Sequence, residues 1–274
     1  MNTDTKPSIF LMGDSIVEQC RDDEYPRWGW GMALPHYILP QYQVINHAHS
    51  GWTTNHFLQK FDKEECLWDT IIRDVKKGDW VIISLGVNDA SVVNEYRTDA
   101  ETYRKNLTFF TTKIREKGAD VIFTTLSLRG GDDGSELGWD YQLTDNPQDE
   151  DMDKRWMLRT KVLCEIAKDL NVEVMQFGAE LKKIYEKMYQ DYMASHKDAT
   201  VAEGRNYVRF FFNLYNKPLN APIEEGGYAI NKPEKKDDST HLSVRGAKVY
   251  ARTVAKLISE SCTGLAKWID TEML

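Results

Sequence analysis

Residues 8–17 read Ser-Ile-Phe-Leu-Met-Gly-Asp-Ser-Ile-Val. The apolar run Ile9-Phe-Leu-Met12 is too short for a helix and suits a buried strand. Gly13-Asp14-Ser15 follows at once. A glycine and a serine directly after such a strand form a tight turn into a helix, with the hydroxyl presented at the sheet edge. Taken alone, a serine there reads most simply as a helix N-cap.

Outward from this stretch the same pattern repeats. Gln43-Val-Ile-Asn46, Trp80-Val-Ile-Ile-Ser84, Asp120-Val-Ile-Phe-Thr-Thr125 and Val172-Glu-Val-Met175 are short β-branched or apolar runs bounded by polar or turn residues. Helical periodicity lies between them. Over 99–117, Tyr103, Leu107, Phe110 and Ile114 step by three and four, and Gly118 follows as a C-terminal cap. Over 154–170 the stripe is Met157 (or Trp156), Val162, Leu163, Ile166 and Leu170; over 243–260 it is Ala247, Tyr250, Val254, Leu257 and Ile258. Residues 178–215 add one or two helices whose aromatics read as packing. Strands alternating with helices give an α/β protein with a parallel sheet covered on both faces. Five strands joined by right-handed crossovers predict a flavodoxin-like, three-layer α/β/α sandwich. No repeat, low-complexity tract or linker divides the chain, so residues 1–274 read as one domain.

Charge narrows the function classes. The 274 residues carry 43 acids and 35 bases, for a net charge of −8. Nine of the acids fall in residues 130–153 (GGDDGSELGWDYQLTDNPQDEDMD), which hold no Lys or Arg, so the rest of the chain is nearly neutral. This segment and the Pro- and Gly-containing stretch 216–240 read as long loops, the first a solvated insertion. Asp149-Glu-Asp-Met-Asp153 brushes a calcium-loop pattern but has Lys154 and Thr160 where Gly and Glu are needed. An acidic chain without a basic stripe is a poor nucleic-acid binder. No apolar run approaches the roughly 20 residues that span a bilayer. Cys20, Cys66, Cys164 and Cys262 are widely spaced, without a CxxC pair, and read as free thiols. With no signal-peptide pattern at the start, the expected location is cytoplasmic, although a secreted chain trimmed of its leader would read the same.

Ligands of open parallel sheets bind beyond the C-terminal strand ends. Ser15 follows the first strand. Asn46-His-Ala-His-Ser-Gly51-Trp-Thr-Thr54 follows the second, where a glycine offers an unobstructed backbone N–H. Gly86-Val-Asn88-Asp89 follows the third, and an Asn amide there can donate to a developing oxyanion. Asp238-Ser-Thr-His241 precedes the last helix; an Asp three residues ahead of a His can accept the imidazole Nδ1–H and leave Nε2 free to take a proton. Each signal alone has an ordinary turn or cap reading.

Together and in this order they resemble the four blocks of the GDSL, or SGNH, hydrolases: Ser15, Gly51, Asn88 and His241, with Asp238 as the histidine's partner. The resemblance runs from residue 9 to about 260. Gly13-Asp-Ser-Ile-Val17, Tyr25-Pro26, Gly29-Trp-Gly31 ahead of Leu34-Pro35, Asn46-His-Ala48 and Lys77-Gly-Asp79 look like the rhamnogalacturonan acetylesterase branch, which removes acetyl groups from a pectic polysaccharide. Two positions depart from that branch. Trp52 stands where an Arg often follows the block-two glycine, and Val87 where a His often precedes the block-three Asn.

The resemblance implies a cofactor-free, metal-free serine esterase acting on a small-molecule or oligosaccharide ester. Ser15 Oγ attacks the carbonyl, His241 moves the proton and Asp238 orients the imidazole. The N–H groups of Ser15 and Gly51 and the Asn88 amide hold the oxyanion. Asp14, Trp52, Val87 and Trp139 are candidate substrate contacts. No GxSxG is present, since Val17 stands where its second glycine would be, which excludes the α/β-hydrolase elbow. Other readings stay open: a short-chain lipase, arylesterase or thioesterase on the same fold; a metal-dependent deacetylase using His47, His49, His56 and Asp14; or a non-catalytic carbohydrate-binding protein. The acidic segment would border the cleft and disfavour anionic substrates.

Overall fold

The computed structural model describes residues 6–61, 63–91, 94–127, 152–212 and 240–274. Its centre is a five-stranded parallel sheet of β1 (Ser8–Gly13), β2 (Gln43–Asn46), β3 (Trp80–Ser84), β4 (Asp120–Thr124) and β5 (Glu173–Met175). The strand order is β2-β1-β3-β4-β5. This is the flavodoxin-like order read from the alternation of runs, and it puts the topological switch beside β1.

Alternation along each strand separates two cores. Ile9, Leu11, Ile82 and Ile122 point to one face, where they pack with Trp30, Phe177, Ala247, Tyr250 and Val254. Phe10, Met12, Val81, Ile83, Val121 and Phe123 point to the other, against Ile71, Tyr103, Leu107, Phe110, Ile114 and Ile166. A side-chain period of two makes this division automatic once the strands are extended. The covering helices are α1 (Trp30–Ala33), α6 (Phe177–Ser195), α7 (Val201–Phe212) and α8 (Val244–Ser259) on the first side. On the second are α3 (Leu67–Asp74), α4 (Ala100–Glu116) and α5 (Met152–Leu170). The short α2 (Thr54–Phe57) follows the loop after β2.

The long helices stand where the stripes predict them. Tyr103, Leu107, Phe110 and Ile114 of α4 are completely buried. Asp99 starts this helix by accepting from Thr102 N–H at 2.7 Å, and Ser243 starts α8 by accepting from Gly246 N–H at 3.1 Å; each cap stabilises its helix by about 1 kcal/mol. Helices α1, α2 and α3 carry no long periodic signal and are additions to the sequence reading.

The strand register aligns the site. Leu11 pairs with Asn46, and Gly13 with Ser84. The chain therefore leaves β1, β2 and β3 at one edge, at nearly one level.

Candidate active site

Ser15 leaves β1 in one turn that does not become a helix, contrary to the sequence expectation. Val17 and Glu18 N–H both donate to the Asp14 carbonyl at 3.0 Å, and Asp14 Oδ1 accepts from Ile16 N–H at 3.0 Å. The carbonyls that would extend a helix are taken by other chain segments. Ile16 O accepts from Trp30 N–H at 2.7 Å, and Val17 O accepts from Asn46 Nδ2 at 2.8 Å. A Cβ on Gly31 would stand 2.3 Å from Val17 O, so only glycine lets this segment cross so closely. Trp30 is fully buried in the core and Trp28 half-buried.

The loop after β2 is hung on β1 by His49 N–H donating to Gly13 O at 3.1 Å. Gly51 sits at φ +77°, a left-handed conformation that a side chain would strain, and among the described residues nothing beyond its chain neighbours lies within 4 Å of where a Cβ would project. Its carbonyl accepts from Asn94 Nδ2 at 2.8 Å. The next carbonyl, Trp52 O, accepts from Asn88 Nδ2 at 3.2 Å. The two loops expected to supply oxyanion donors are therefore bonded to each other. The Asn88 bond is at the long end of the normal range, as suits a donor that can turn to a ligand.

Asp89 holds this pair of loops from behind. Its side chain is completely buried and accepts from Thr54 N–H at 3.0 Å, Thr54 Oγ1 at 2.6 Å and Thr98 Oγ1 at 2.8 Å. Burial pushes its carboxyl upward; the Thr54 and Thr98 donors and the Arg159 guanidinium pull the other way. Two buried arginines of α5 grip the same loop. Arg155 Nε donates to Ala90 O at 3.0 Å, and Arg159 Nη2 donates to Thr98 O. Residues 155, 159, 162, 163 and 166 share the buried face of α5, so both cations stand on its apolar stripe. That placement of Arg at core positions is the sequence signal for them, and the pattern reading passed over it. Asp89 itself was visible as the neighbour of Asn88, but nothing local showed that Thr54 and Thr98 would surround it.

His241 is half-buried. The following carbonyl, Leu242 O, accepts from Trp28 N–H at 3.1 Å, and Ser243 forms an antiparallel bridge with Arg27. Because Trp30 N–H holds Ile16, the segment 28–30 joins the residue after Ser15 to the residue after His241. Arg27 extends this brace. Its guanidinium pairs with Glu18 at 2.6 Å and with Glu24, and donates to Ser50 Oγ at 3.2 Å, beside Gly51. Ser15, Gly51, Asn88 and His241 thus belong to one laced set of loops. Asp238 and Trp139 lie outside the described residues, as do most of the acidic segment and of the loop at 216–240.

The candidate substrate contacts divide. Asp14 and Val87 are buried and line a cavity of about 10 Å³ with Ile16, Trp30, Ser84 and Ser127. That is room for about one water. Burial pushes the Asp14 carboxyl up to about 7, with Asp89 and Glu18 adding to it and the Ile16 N–H and Arg27 opposing. Trp52 is half-buried and its indole lies among the rings of His49, His56, Phe57 and Phe61.

The histidines considered as metal ligands have separate surroundings. His47 stacks on Phe10, and His56 Nδ1 accepts from Thr53 N–H at 3.0 Å. Burial lowers the pKa of His47, His49 and His56, which favours neutral rings. Among the described residues no three His, Cys, Asp or Glu side chains are grouped to hold a metal ion, and no helix is long and apolar enough to cross a membrane.

Known proteins are similar to this chain in sequence and in fold. The rhamnogalacturonan acetylesterase RhgT of Bacillus subtilis (strain 168) is 28% identical over 253 residues, which are 92% of this chain and 89% of that protein. The crystal structure of a Bacillus subtilis protein, YxiM, superposes with a TM-score of 0.61 at 19% identity, covering 93% of this chain and 57% of that one. This chain thus spans little more than half of YxiM. Axe2, an acetylxylan esterase from Geobacillus stearothermophilus, superposes with a TM-score of 0.53 at 17% identity, covering 92% of this chain and 93% of its own. At such identities these two likenesses speak to the fold alone. The sequence pattern of the GDSL-like lipase/acylhydrolase family matches residues 11–249, a span that holds Ser15, Gly51, Asn88 and His241. The chain belongs to the GDSL-like lipase/acylhydrolase family.

Proposed function

We propose that this protein is a serine esterase that removes short acyl groups, acetyl above all, from carbohydrate. The observation that carries this reading is the bond between the two oxyanion loops, Asn88 Nδ2 to Trp52 O at 3.2 Å, beside a Gly51 loop hung on the end of β1. Family membership and the name of the full-length relative RhgT support acetylated carbohydrate as the substrate class.

In this account Ser15 Oγ attacks the ester carbonyl carbon while His241 takes its proton. The oxyanion settles among the N–H groups of Ser15 and Gly51 and the Asn88 amide. The carbon–oxygen bond to the sugar breaks as His241 returns the proton to the leaving alcohol. Water then attacks the acyl-enzyme with His241 again as base, releasing acetate and freeing Ser15. Asp238 orients His241 throughout. The loops that carry these donors are bonded to each other before the substrate arrives, so little backbone reorganisation is spent as charge develops.

The experiment is a substrate panel. Acetylated oligosaccharides, p-nitrophenyl acetate and p-nitrophenyl esters of longer acids are offered to the wild-type and Ser15→Ala proteins. Acetyl esters hydrolysed by the wild type alone support the proposal. A preference for longer acyl chains would move the protein to the lipase, arylesterase or thioesterase reading.

A further inference from the structure

Beside Gly51 lies a contiguous patch of aromatic rings that the ester chemistry does not use. Trp52 stacks against His49 with centroids 4.4 Å apart, and lies 5.9 Å from Phe61. Phe61 is 5.7 Å from Tyr96, which is 4.4 Å from His56. The patch is fixed to the oxyanion loop at both ends. Asn94 Nδ2 holds Gly51 O at 2.8 Å, and Thr53 Oγ1 donates to Tyr96 O at 2.8 Å.

Phe61 is the unusual member. It is 49% exposed, and its backbone sits at φ 47°, in the left-handed region that costs a non-glycine residue about 1–3 kcal/mol. A half-exposed ring recovers only part of that cost by burial. His49 is exposed as well, and Trp52 and Tyr96 are partly so. The patch is therefore an open apolar surface beginning one residue from an oxyanion donor. Its two histidines favour the neutral form, so the patch carries no cation of its own.

We propose that the patch formed by His49, Trp52, Phe61 and Tyr96 is a glycosyl-binding subsite, on which a pyranose neighbouring the acetylated sugar lays its apolar C–H face. Aromatic faces carry partial negative charge and attract such polarised C–H groups, while the sugar hydroxyls stay in water. The subsite rests on the esterase reading for its neighbour but not for its own affinity. It accounts for Trp52 in place of the basic residue frequent in the branch: the position contributes a ring, not a charge.

The test compares wild-type, Phe61→Ala and Phe61→Tyr proteins on acetylated xylotriose, acetylated methyl xyloside and p-nitrophenyl acetate. The wild type should favour the trisaccharide over the monosaccharide in kcat/KM. Phe61→Ala should lower the preference for trisaccharide over p-nitrophenyl acetate at least five-fold, mainly through KM, and Phe61→Tyr should restore it. The proposal is overturned if the wild type treats the two sugars alike, or cleaves neither while hydrolysing p-nitrophenyl acetate. An equal loss on all three substrates also overturns it, because that marks a disturbed fold. Should no ester be cleaved at all, the esterase reading fails, and calorimetric titration with unacetylated xylotriose still decides the subsite. Binding weakened at least five-fold by Phe61→Ala supports it, and no binding overturns it.

Discussion

Removing the Asp89 carboxylate should both destabilise the protein and misalign the proposed oxyanion donors. Three donors meet this buried group: Thr54 N–H, Thr54 Oγ1 and Thr98 Oγ1, at 2.6–3.0 Å. Each buried donor left without an acceptor costs about 1–3 kcal/mol. Asp89→Ala also removes a negative charge whose field reaches the buried Arg159, which adds to the loss. These terms overlap and cannot simply be added, so about 3–5 kcal/mol is the working figure, a large share of the roughly 5–15 kcal/mol that holds a domain together. Asp89→Asn keeps one acceptor oxygen and should lose about 1–3 kcal/mol. Urea denaturation reads the effect as a lower midpoint at constant slope. With p-nitrophenyl acetate, Asp89→Asn should lower kcat about ten-fold or more and change KM far less, since the loops it ties bear on the transition state. A variant within about 0.5 kcal/mol of wild type and with unchanged kcat would refute the clamp.

Four further outcomes follow from the same geometry. Ser15→Ala should abolish turnover of p-nitrophenyl acetate while its circular dichroism and urea midpoint stay near wild type; retained turnover would remove Ser15 from the chemistry. Asn88→Ala should lose roughly 10²–10³ in kcat with a smaller change in KM, as one oxyanion donor typically contributes. Gly51→Ala, at φ +77°, should cost about 1–2 kcal/mol in urea denaturation through backbone strain, since among the described residues nothing beyond its chain neighbours lies within 4 Å to clash. Asp14 sets a pH dependence: its carboxyl rises from 3.8 to about 7 on folding, so between these values the unfolded chain releases a proton that the folded one keeps. Its stabilising contribution is full below about pH 4, falls as pH rises and is gone above about 7, a change of about 4 kcal/mol. Asp14→Asn should flatten that slope, and parallel wild-type and variant curves from pH 4 to 8 would refute it.

Much of the fold was legible because it rests on local periodicity. Ile9–Met12, Trp80–Ser84 and the stripe Tyr103, Leu107, Phe110, Ile114 each signal their element within a few residues, and alternation then implies the parallel sheet. The helix expected after Ser15 failed for a non-local reason. Trp30 N–H and Asn46 Nδ2 take the carbonyls it would need, and neither partner is near in sequence. The short α1, α2 and α3 are fixed by tertiary packing rather than by pattern. The four blocks of the candidate site could be picked out because each sits at a strand or helix end. The lacing that positions them was not. Arg27 reaching Ser50, Arg159 reaching Thr98 and Asp89 reaching Thr54 span long sequence separations, and a buried ion looks like a surface one until its surroundings are known. Asp238, Trp139 and the acidic segment, read from sequence as triad member, sugar contact and cleft border, lie outside the described residues.

The central claim is that Ser15 is an activated nucleophile, and covalent labelling tests it most directly. Wild-type protein is treated with a fluorophosphonate, digested and mapped by mass spectrometry. The account predicts one adduct, on the peptide holding Ser15, lost in Ser15→Ala and formed more slowly in Asn88→Ala. No adduct at Ser15, or ester hydrolysis that persists once Ser15 is labelled, would contradict it.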